Sequence, residues 1–304
     1  MFRLNPCISI SLALCLVGLS WISCNQQAKH PSDTTTSGTI PISVDISYEP
    51  LMDSEIKVFE TQHPQAHIIA AYKPEADCFK DLLNDSARLI IVTRDLNEQE
   101  KAYFKSIREP IVSKILAWDA IAVIVNPANP DTNMTVDELR EITTGNYHKK
   151  PVQLVFDEQN SSTVRFIIDS INHGKPLPAY AMAANGPSQV VDYVASTPNA
   201  IGLIGVSWVS DPYDTLALSF LKKVRVVGLK TAAETRYFKP YQYYIALKSY
   251  PLTRAFYFIL REPYYGLGTG FVNFLASDKG QLIIAKYRLF PALMNIVFRD
   301  ATIQ

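Results

Sequence analysis

The sequence predicts an α/β fold with mainly parallel sheets in two lobes, and three observations carry this. From residue 40 onward, apolar strand-like runs take turns with segments of helical spacing, which is the rhythm of βαβ units. The 304 residues suffice for two lobes with a core in each. A hydrophobic fraction of 48% beside a charged fraction of 19% belongs to a folded globular chain and excludes disorder over most of the length.

The elements follow in order. Ile40, Ile42, Val44 and Ile46 alternate with small or polar residues, a strand signal. Met52, Ile56 and Phe59 keep helical spacing, and Pro64 closes that helix. His67–Tyr72 reads as a second strand, Glu75–Leu83 as a helix and Arg88–Thr93 as a third, central strand. Asn97 to Glu100 opens a helix with acidic residues at its positive end. Two apolar strands are expected near Val112–Trp118 and Ala120–Val125. Thr135 to Glu138 forms a capping box for a helix through Ile142 that Gly145 ends. Val152–Phe156 reads as a strand, Ser162–Ile171 as a helix, and Ser188 as the cap of a helix to Ala195. Strands are expected at Ala200–Ile204, Val224–Leu229 and Tyr241–Leu247, and the tail from Pro251 reads as mostly helical. In open sheets of this kind ligands sit beyond the carboxyl ends of the strands, so the loops after each strand carry the candidate site.

The N-terminus points to export. Met1-Phe2-Arg3 is a short positive start, and Cys7 to Ile22 is almost wholly apolar or small, too short for a comfortable membrane span but right for a signal-peptide core. Trp21-Ile22-Ser23-Cys24 reads either as a bacterial lipobox, with cleavage before Cys24 and lipid on its thiol, or as an ordinary secretory signal with an incidental cysteine. Trp21 stands where Leu is usual in a lipobox. Residues 1–23 are thus the expected signal peptide. Residues 24–38, polar and rich in Thr and Ser, are the expected tether. Of the four cysteines, Cys7 and Cys15 leave with the signal and Cys24 carries lipid on the lipobox reading, so Cys78 has no disulfide partner. Cys78 reads as a nucleophile or as a small buried hydrophobe, sharing a helix face with Leu82.

Charge and motifs narrow the function. Lys+Arg and Asp+Glu are both 29, and basic residues run only in pairs such as Lys149-Lys150, which argues against a nucleic-acid partner. His63 and His67 have metal spacing, but Pro64 breaks the helix such a pair would need. The chain has no H-E-x-x-H, no G-x-S-x-G and no Walker loop, so no enzyme and no cofactor are expected. Gly266 to Gly270 reads as a turn before a helix at Phe271. The informative segment is Asn160-Ser161-Ser162-Thr163, a hydroxyl-rich loop between a strand and a helix. It reads either as a plain N-cap or as an oxyanion cradle of backbone N–H groups and hydroxyls.

This loop resembles the Gly-Ser-Gly-Thr loop of the PstS-type phosphate-binding proteins of ABC importers. The resemblance continues through Ala120 to Pro130, Thr135 to Leu139 and Gly145, which look like the family's D-G-(apolar)-V-N-x-x-N-P … L-T … I-(F)-x-G stretch. Asn199-Ala200-Ile201-Gly202, Tyr250 to Arg254, Phe274 to Gln281 and Thr93-Arg94-Asp95-Leu96 resemble G-A-I-G-Y, Y-P-L-x-R, F-x-x-x-S-x-x-G-Q and S-R-x-L, all in the family's order. The resemblance implies a periplasmic-binding-protein fold of type II-like form, with lobe one at 39–117 plus 235–304, lobe two at 118–234, and ligand in the hinge cleft.

It further implies a lipid-anchored solute-binding protein that captures a small anion, most readily inorganic phosphate, for an ABC permease. Such a protein is a monomer in the cell envelope, facing the periplasm or exterior. Ser161, Ser162 and Thr163, with Asn160 and Arg165, would hold the ligand from one side, and Ser47, Thr93 and Arg94 from the other. The alternative is a non-transport envelope lipoprotein, a scaffold or sensor, that keeps the fold with an altered or lost ligand site. The departures bear on this choice. The family's Gly/Ser-rich first and second loops are here Asp45 to Leu51 and Tyr72 to Glu75, and Asp157 stands where an Arg is common. Asp45, Glu75 and Asp157 would together repel a dianion unless Arg94, Arg165 or Lys73 offsets them.

Overall fold

The computed structural model describes residues 33–209 and 222–294. The expected signal peptide and Cys24 lie outside the described residues. Among the latter, no helix is long and apolar enough to cross a membrane.

Strand β1 (Gly38–Asp45) buries Ile40, Ile42 and Val44 and leads through a 3-10 turn at Ile46–Tyr48 into α1 (Glu49–Gln62), which has Pro50 in its first turn. Then come β2 (Ala66–Lys73), α2 (Glu75–Leu83), β3 (Leu89–Val92) and α3 (Glu98–Ser106), whose N-terminus is closed by a capping box of Asn97 and Glu100. Strand β4 runs unbroken from Val112 to Val125, where the sequence suggested two strands. Asp119, which lies between the two expected strands, is a buried ion-pair partner within one continuous strand. Next are β5 (Asn133–Thr135), α4 (Val136–Thr144) with its Thr135–Glu138 capping box, and β6 (Gln153–Phe156). Helix α5 (Ser162–Phe166) continues as a π-helical turn over Ile167–Ile171.

Strand β7 (Met182–Ala183) precedes α6 (Pro187–Ser196), which starts after Gly186, so Ser188 lies inside its first turn rather than capping it. Then follow β8 (Ala200–Gly205), β9 (Arg225–Val226) and β10 (Gly228–Lys230). Tyr241–Leu247, read as a strand, holds α7 (Gln242–Ala246). The tail read as helical begins with β11 (Thr253–Leu260), a central strand whose inward residues alternate with half-buried ones. Helices α8 (Leu267–Ala276) and α9 (Asp278–Lys286) and strand β12 (Phe290–Pro291) complete the described chain.

The main sheet has the order β2-β1-β3-β11-β4-β8-β6-β7, with β9 and β12 also on β4. Pairing is parallel at both ends, β2-β1-β3 and β8-β6-β7. It is antiparallel in the middle, where β11 and β4 run across. Residues Val112–Ala120 of β4 pair with β11, and Ile121–Val125 pair with β8. One strand thus serves both halves of the sheet and changes partner between Ala120 and Ile121. The loops after β1, β2 and β3 on one side and after β6 and β8 on the other converge at that change of partner.

Residues 33–38, read as the end of the tether, pack on the domain. The buried Asp33 accepts hydrogen bonds from the Leu267 N–H at 2.7 Å and from Arg88, at the start of α8. The glycine-rich run is therefore mostly helix rather than turn. A Cβ on Gly270 would lie 1.8 Å from the Thr35 carbonyl oxygen, so the segment can lie on α8 only because residue 270 has none.

Candidate functional site

Two isolated charges in apolar strands build the centre of the site. Arg254 of β11 and Asp119 of β4 sit opposite each other in register, and the Arg254 Nε donates to Asp119 Oδ2 at 2.8 Å. The Tyr48 hydroxyl donates to the same oxygen at 2.9 Å. Both charged side chains are buried, Arg254 to 4% exposure, so each depends on the other for compensation. Arg254 Nη1 reaches across to donate to Ser162 Oγ at 2.9 Å, while its Nη2 is buried with no partner. Ser162 Oγ lies 3.4 Å from Ser47 Oγ, which comes from the loop after β1. Asp45, at the end of β1, accepts the Ser47 N–H at 2.9 Å through Oδ1 and leaves Oδ2 buried and unpartnered. Burial, reinforced by repulsion from Glu75, pushes the Asp45 carboxyl up to about 7 despite the nearby Arg254 charge. Gly205 closes the group from β8: a Cβ there would meet Ser47 Cβ at 3.1 Å and Arg254 Nη2 at 3.6 Å. A guanidinium N–H, two hydroxyls and a carboxylate oxygen therefore converge where the two halves of the sheet meet.

Two further carboxylates flank this centre, and each takes donors that the sequence assigned to a ligand. Asp157, fully buried, accepts the Ser161 hydroxyl at 2.6 Å and the Thr163 hydroxyl at 3.1 Å. Burial raises its carboxyl, and the Ser161 and Thr163 hydroxyls and the Glu158 N–H offset only part of that. Ser161 Oγ also accepts the Val164 N–H at 3.2 Å, so this residue is the N-cap of α5. Glu75 accepts the Thr93 N–H and hydroxyl at 2.7 Å each through Oε1, and the Arg165 Nε at 2.5 Å through Oε2. Arg165 Nη2 closes a ring by donating to Thr93 Oγ1 at 2.7 Å. Burial alone would raise the Glu75 carboxyl, but the Arg165 charge and the bonds from Arg165 and Thr93 outweigh it and hold it below its ordinary value.

The structure therefore brings Ser47 together with Ser162, Thr93 with Arg165, and Ser161 with Thr163. Two expected residues stand aside. Arg94 points into a bidentate pair with Glu100 at 2.8 Å, over the Phe79 ring, and braces the start of α3. Asn160 is exposed. Lys73 pairs with Asp81 at 2.6 Å rather than with the site carboxylates. The sequence reading missed Arg254 as a site residue, along with Asp119, Tyr48 and Gly205. A lone Arg and a lone Asp, each inside an apolar run, were the available signal, since such charges must find each other once the strands are buried.

Cys78 is buried, with its thiol raised far above the ordinary range by burial, and so packs as a hydrophobe. Among the described residues no group of three or more His, Cys, Asp or Glu is placed to hold a metal ion.

A family model of the PBP superfamily domain matches residues 29–279. No curated protein matches the chain significantly. Among solved structures, similar folds include a phosphate ABC transporter substrate-binding protein from Clostridium perfringens, solved with bound phosphate, at 23% identity and TM-score 0.71 over 84% of this chain and 100% of that one. An ABC-type phosphate transport receptor from Vibrio cholerae aligns at 22% identity and TM-score 0.63 over 84% and 100%. PstS from Borrelia burgdorferi aligns at 17% identity and TM-score 0.52 over 84% and 99%. These likenesses establish the two-lobed fold. The family model, which matches most of the length, shows that the chain belongs to the PBP superfamily.

Proposed function

We propose that this protein is a lipid-anchored binding protein that captures a small oxoanion, inorganic phosphate first, and delivers it to an ABC permease. The single observation that supports this best is the buried, unpartnered Nη2 of Arg254, set beside the Ser47 and Ser162 hydroxyls where the two halves of the sheet meet. A buried N–H without a partner is costly, and an anion oxygen would satisfy it. The unpartnered Asp45 Oδ2 complements it, because its protonated carboxyl, favoured below about pH 7, can donate a hydrogen bond to an anion oxygen. The similar phosphate-binding structures favour the same ligand. Cys24 carries the lipid in this reading, the protein faces the periplasm or exterior as a monomer, and the cleft lies between residues 39–117 plus 235–304 and residues 118–234. A second reading, an envelope scaffold or sensor with a changed site, draws support from Asp157 and Glu75, which already occupy the donors of Ser161, Thr163, Thr93 and Arg165.

The test is calorimetric titration of the full chain in detergent with inorganic phosphate at several pH values. Asp45 loses its proton as pH rises through about 7, which adds a negative charge beside the bound anion. The affinity is therefore expected to fall as pH rises from 6 to 8. Phosphate loses a proton in the same range, so the comparison that matters is with Asp45→Asn, whose pH dependence should be shallower. Absence of binding at millimolar phosphate across this range would remove phosphate as the ligand and leave the scaffold reading.

A further inference from the structure

Glu75 departs from the small, flexible residues that a loop built to hold an external anion would carry, and its surroundings say what it does instead. Glu75 is 2% exposed, and its carboxylate takes three donors from two different parts of the chain. The Thr93 N–H and hydroxyl come from the end of β3, in the same half of the sheet as Glu75. The Arg165 guanidinium comes from α5, which follows β6 in the other half. A backbone N–H, a hydroxyl and a guanidinium converging on one pair of oxygens form the donor set of an anion site, and the anion in it is part of the chain.

We propose that Glu75 is an internal ligand: its carboxylate occupies the place an incoming anion would take on Thr93 and Arg165, and holds the two halves of the molecule together when no solute is bound. This rests on the reading of the cleft as a solute site. A tethered carboxylate acts at a high effective concentration, so a free anion must displace it before using those donors. If the self-liganded form makes up about nine-tenths of the population, the apparent affinity for solute is weakened about tenfold. Glu75 thereby sets the solute concentration at which the cleft responds, and it disfavours anions too weakly charged to compete for Arg165.

The experiment uses the full chain in detergent as wild type, Glu75→Gln and Glu75→Ala, each checked for folding by circular dichroism. Hydrogen exchange is measured without phosphate on the peptides containing Thr93 and residues 161–166, and phosphate affinity is measured by calorimetry. Both variants are expected to exchange faster at those peptides, formate at millimolar concentration should restore protection in Glu75→Ala, and phosphate should bind about tenfold tighter to Glu75→Gln. Loss of a negative charge could by itself tighten phosphate binding, but it would not speed exchange in the absence of phosphate. Wild-type exchange rates in both folded variants would overturn the proposal, whatever phosphate does. Faster exchange rescued by formate, with no phosphate binding in any form, would uphold the internal ligand and sink the phosphate reading. Tight phosphate binding to wild type, with variants that neither open nor bind tighter, would do the reverse.

Discussion

Arg254 carries more of this molecule than any other side chain. It neutralises Asp119, reaches Ser162 across the site and keeps one buried nitrogen, Nη2, without a partner. Burial works against its charge, but the Tyr48 hydroxyl group, Asp119 and Asp45 together keep it charged. Replacing it by Met would leave Asp119 and Asp45 without compensation in a dry interior. Arg254→Met is expected to cost about 3–5 kcal/mol of stability in denaturant unfolding and to abolish phosphate binding. Glu55 is the opposite case. It is fully buried in α1, neither carboxylate oxygen has a partner, and burial pushes its carboxyl up to about 9. With the folded value above the unfolded one, its contribution is fully present below pH 4.5 and is lost as pH rises toward 9, because the unfolded state releases the proton first. Glu55→Gln is therefore expected to stabilise the protein above pH 5, by on the order of 1–3 kcal/mol near neutrality. The gain should vanish below pH 4, and a gain of equal size at pH 4 would show that charge is not its cause. Glu55 was not legible as important in the sequence, and Arg254 only as a lone charge in an apolar run, since the burial of a charge depends on strands and helices far apart in the chain.

At the scale of elements, most of the first half was readable because its segments carry their own punctuation, the unbroken β4 and the short β5 excepted. Pro64 ends α1, Asn97 and Thr135 cap α3 and α4, and Gly145 closes α4. The second half was harder. Thr253–Leu260 has a period of two, yet it follows Pro251 in a tail that is otherwise helical, and only its place between β3 and β4 explains why it is a strand. Tyr241–Leu247 is rich in aromatic residues, which favours a strand locally. Instead, Tyr244 packs against Phe238 and α7 docks on β4 and β12. The anchoring of residues 33–38 was equally hidden, because it depends on an absent side chain at Gly270. This contact makes a prediction for α8. Gly270→Ala forces a methyl group into the Thr35 backbone, and either the segment lifts off or the helix shifts. We expect a loss of about 1–3 kcal/mol. We also expect faster proteolysis between residues 33 and 38 than in wild type. Unchanged cleavage there would mean that Asp33 and its bonds to Arg88 and Leu267 hold the segment without help from the close approach.

At the scale of the whole molecule, the fold couples what the site must move. Two-lobed binding proteins work by closing one part on another, yet here the two halves share β4, with β11 beside it over Val112–Ala120 and β8 beside it over Ile121–Val125. The Ile121 N–H donates to the Leu252 carbonyl at 3.0 Å at the point where partners change, so both strands cross the same place. A shared strand cannot melt in one half without removing an edge of the other. The apolar clusters agree: the largest runs from Ile40 and Phe59 through Phe256 and Phe271 to Leu154 and Leu203, from one half into the other. We therefore expect one cooperative thermal transition for the full chain in scanning calorimetry, with van't Hoff and calorimetric enthalpies in agreement. Because Glu75 and Arg165 bind the halves only at the cleft, Glu75→Gln should lower the midpoint slightly while leaving that agreement intact. Two separated transitions, or a calorimetric enthalpy well above the van't Hoff value, would mean that the halves fold independently. The shared strand would then be a hinge alone, and not the element that makes the two parts one folding unit.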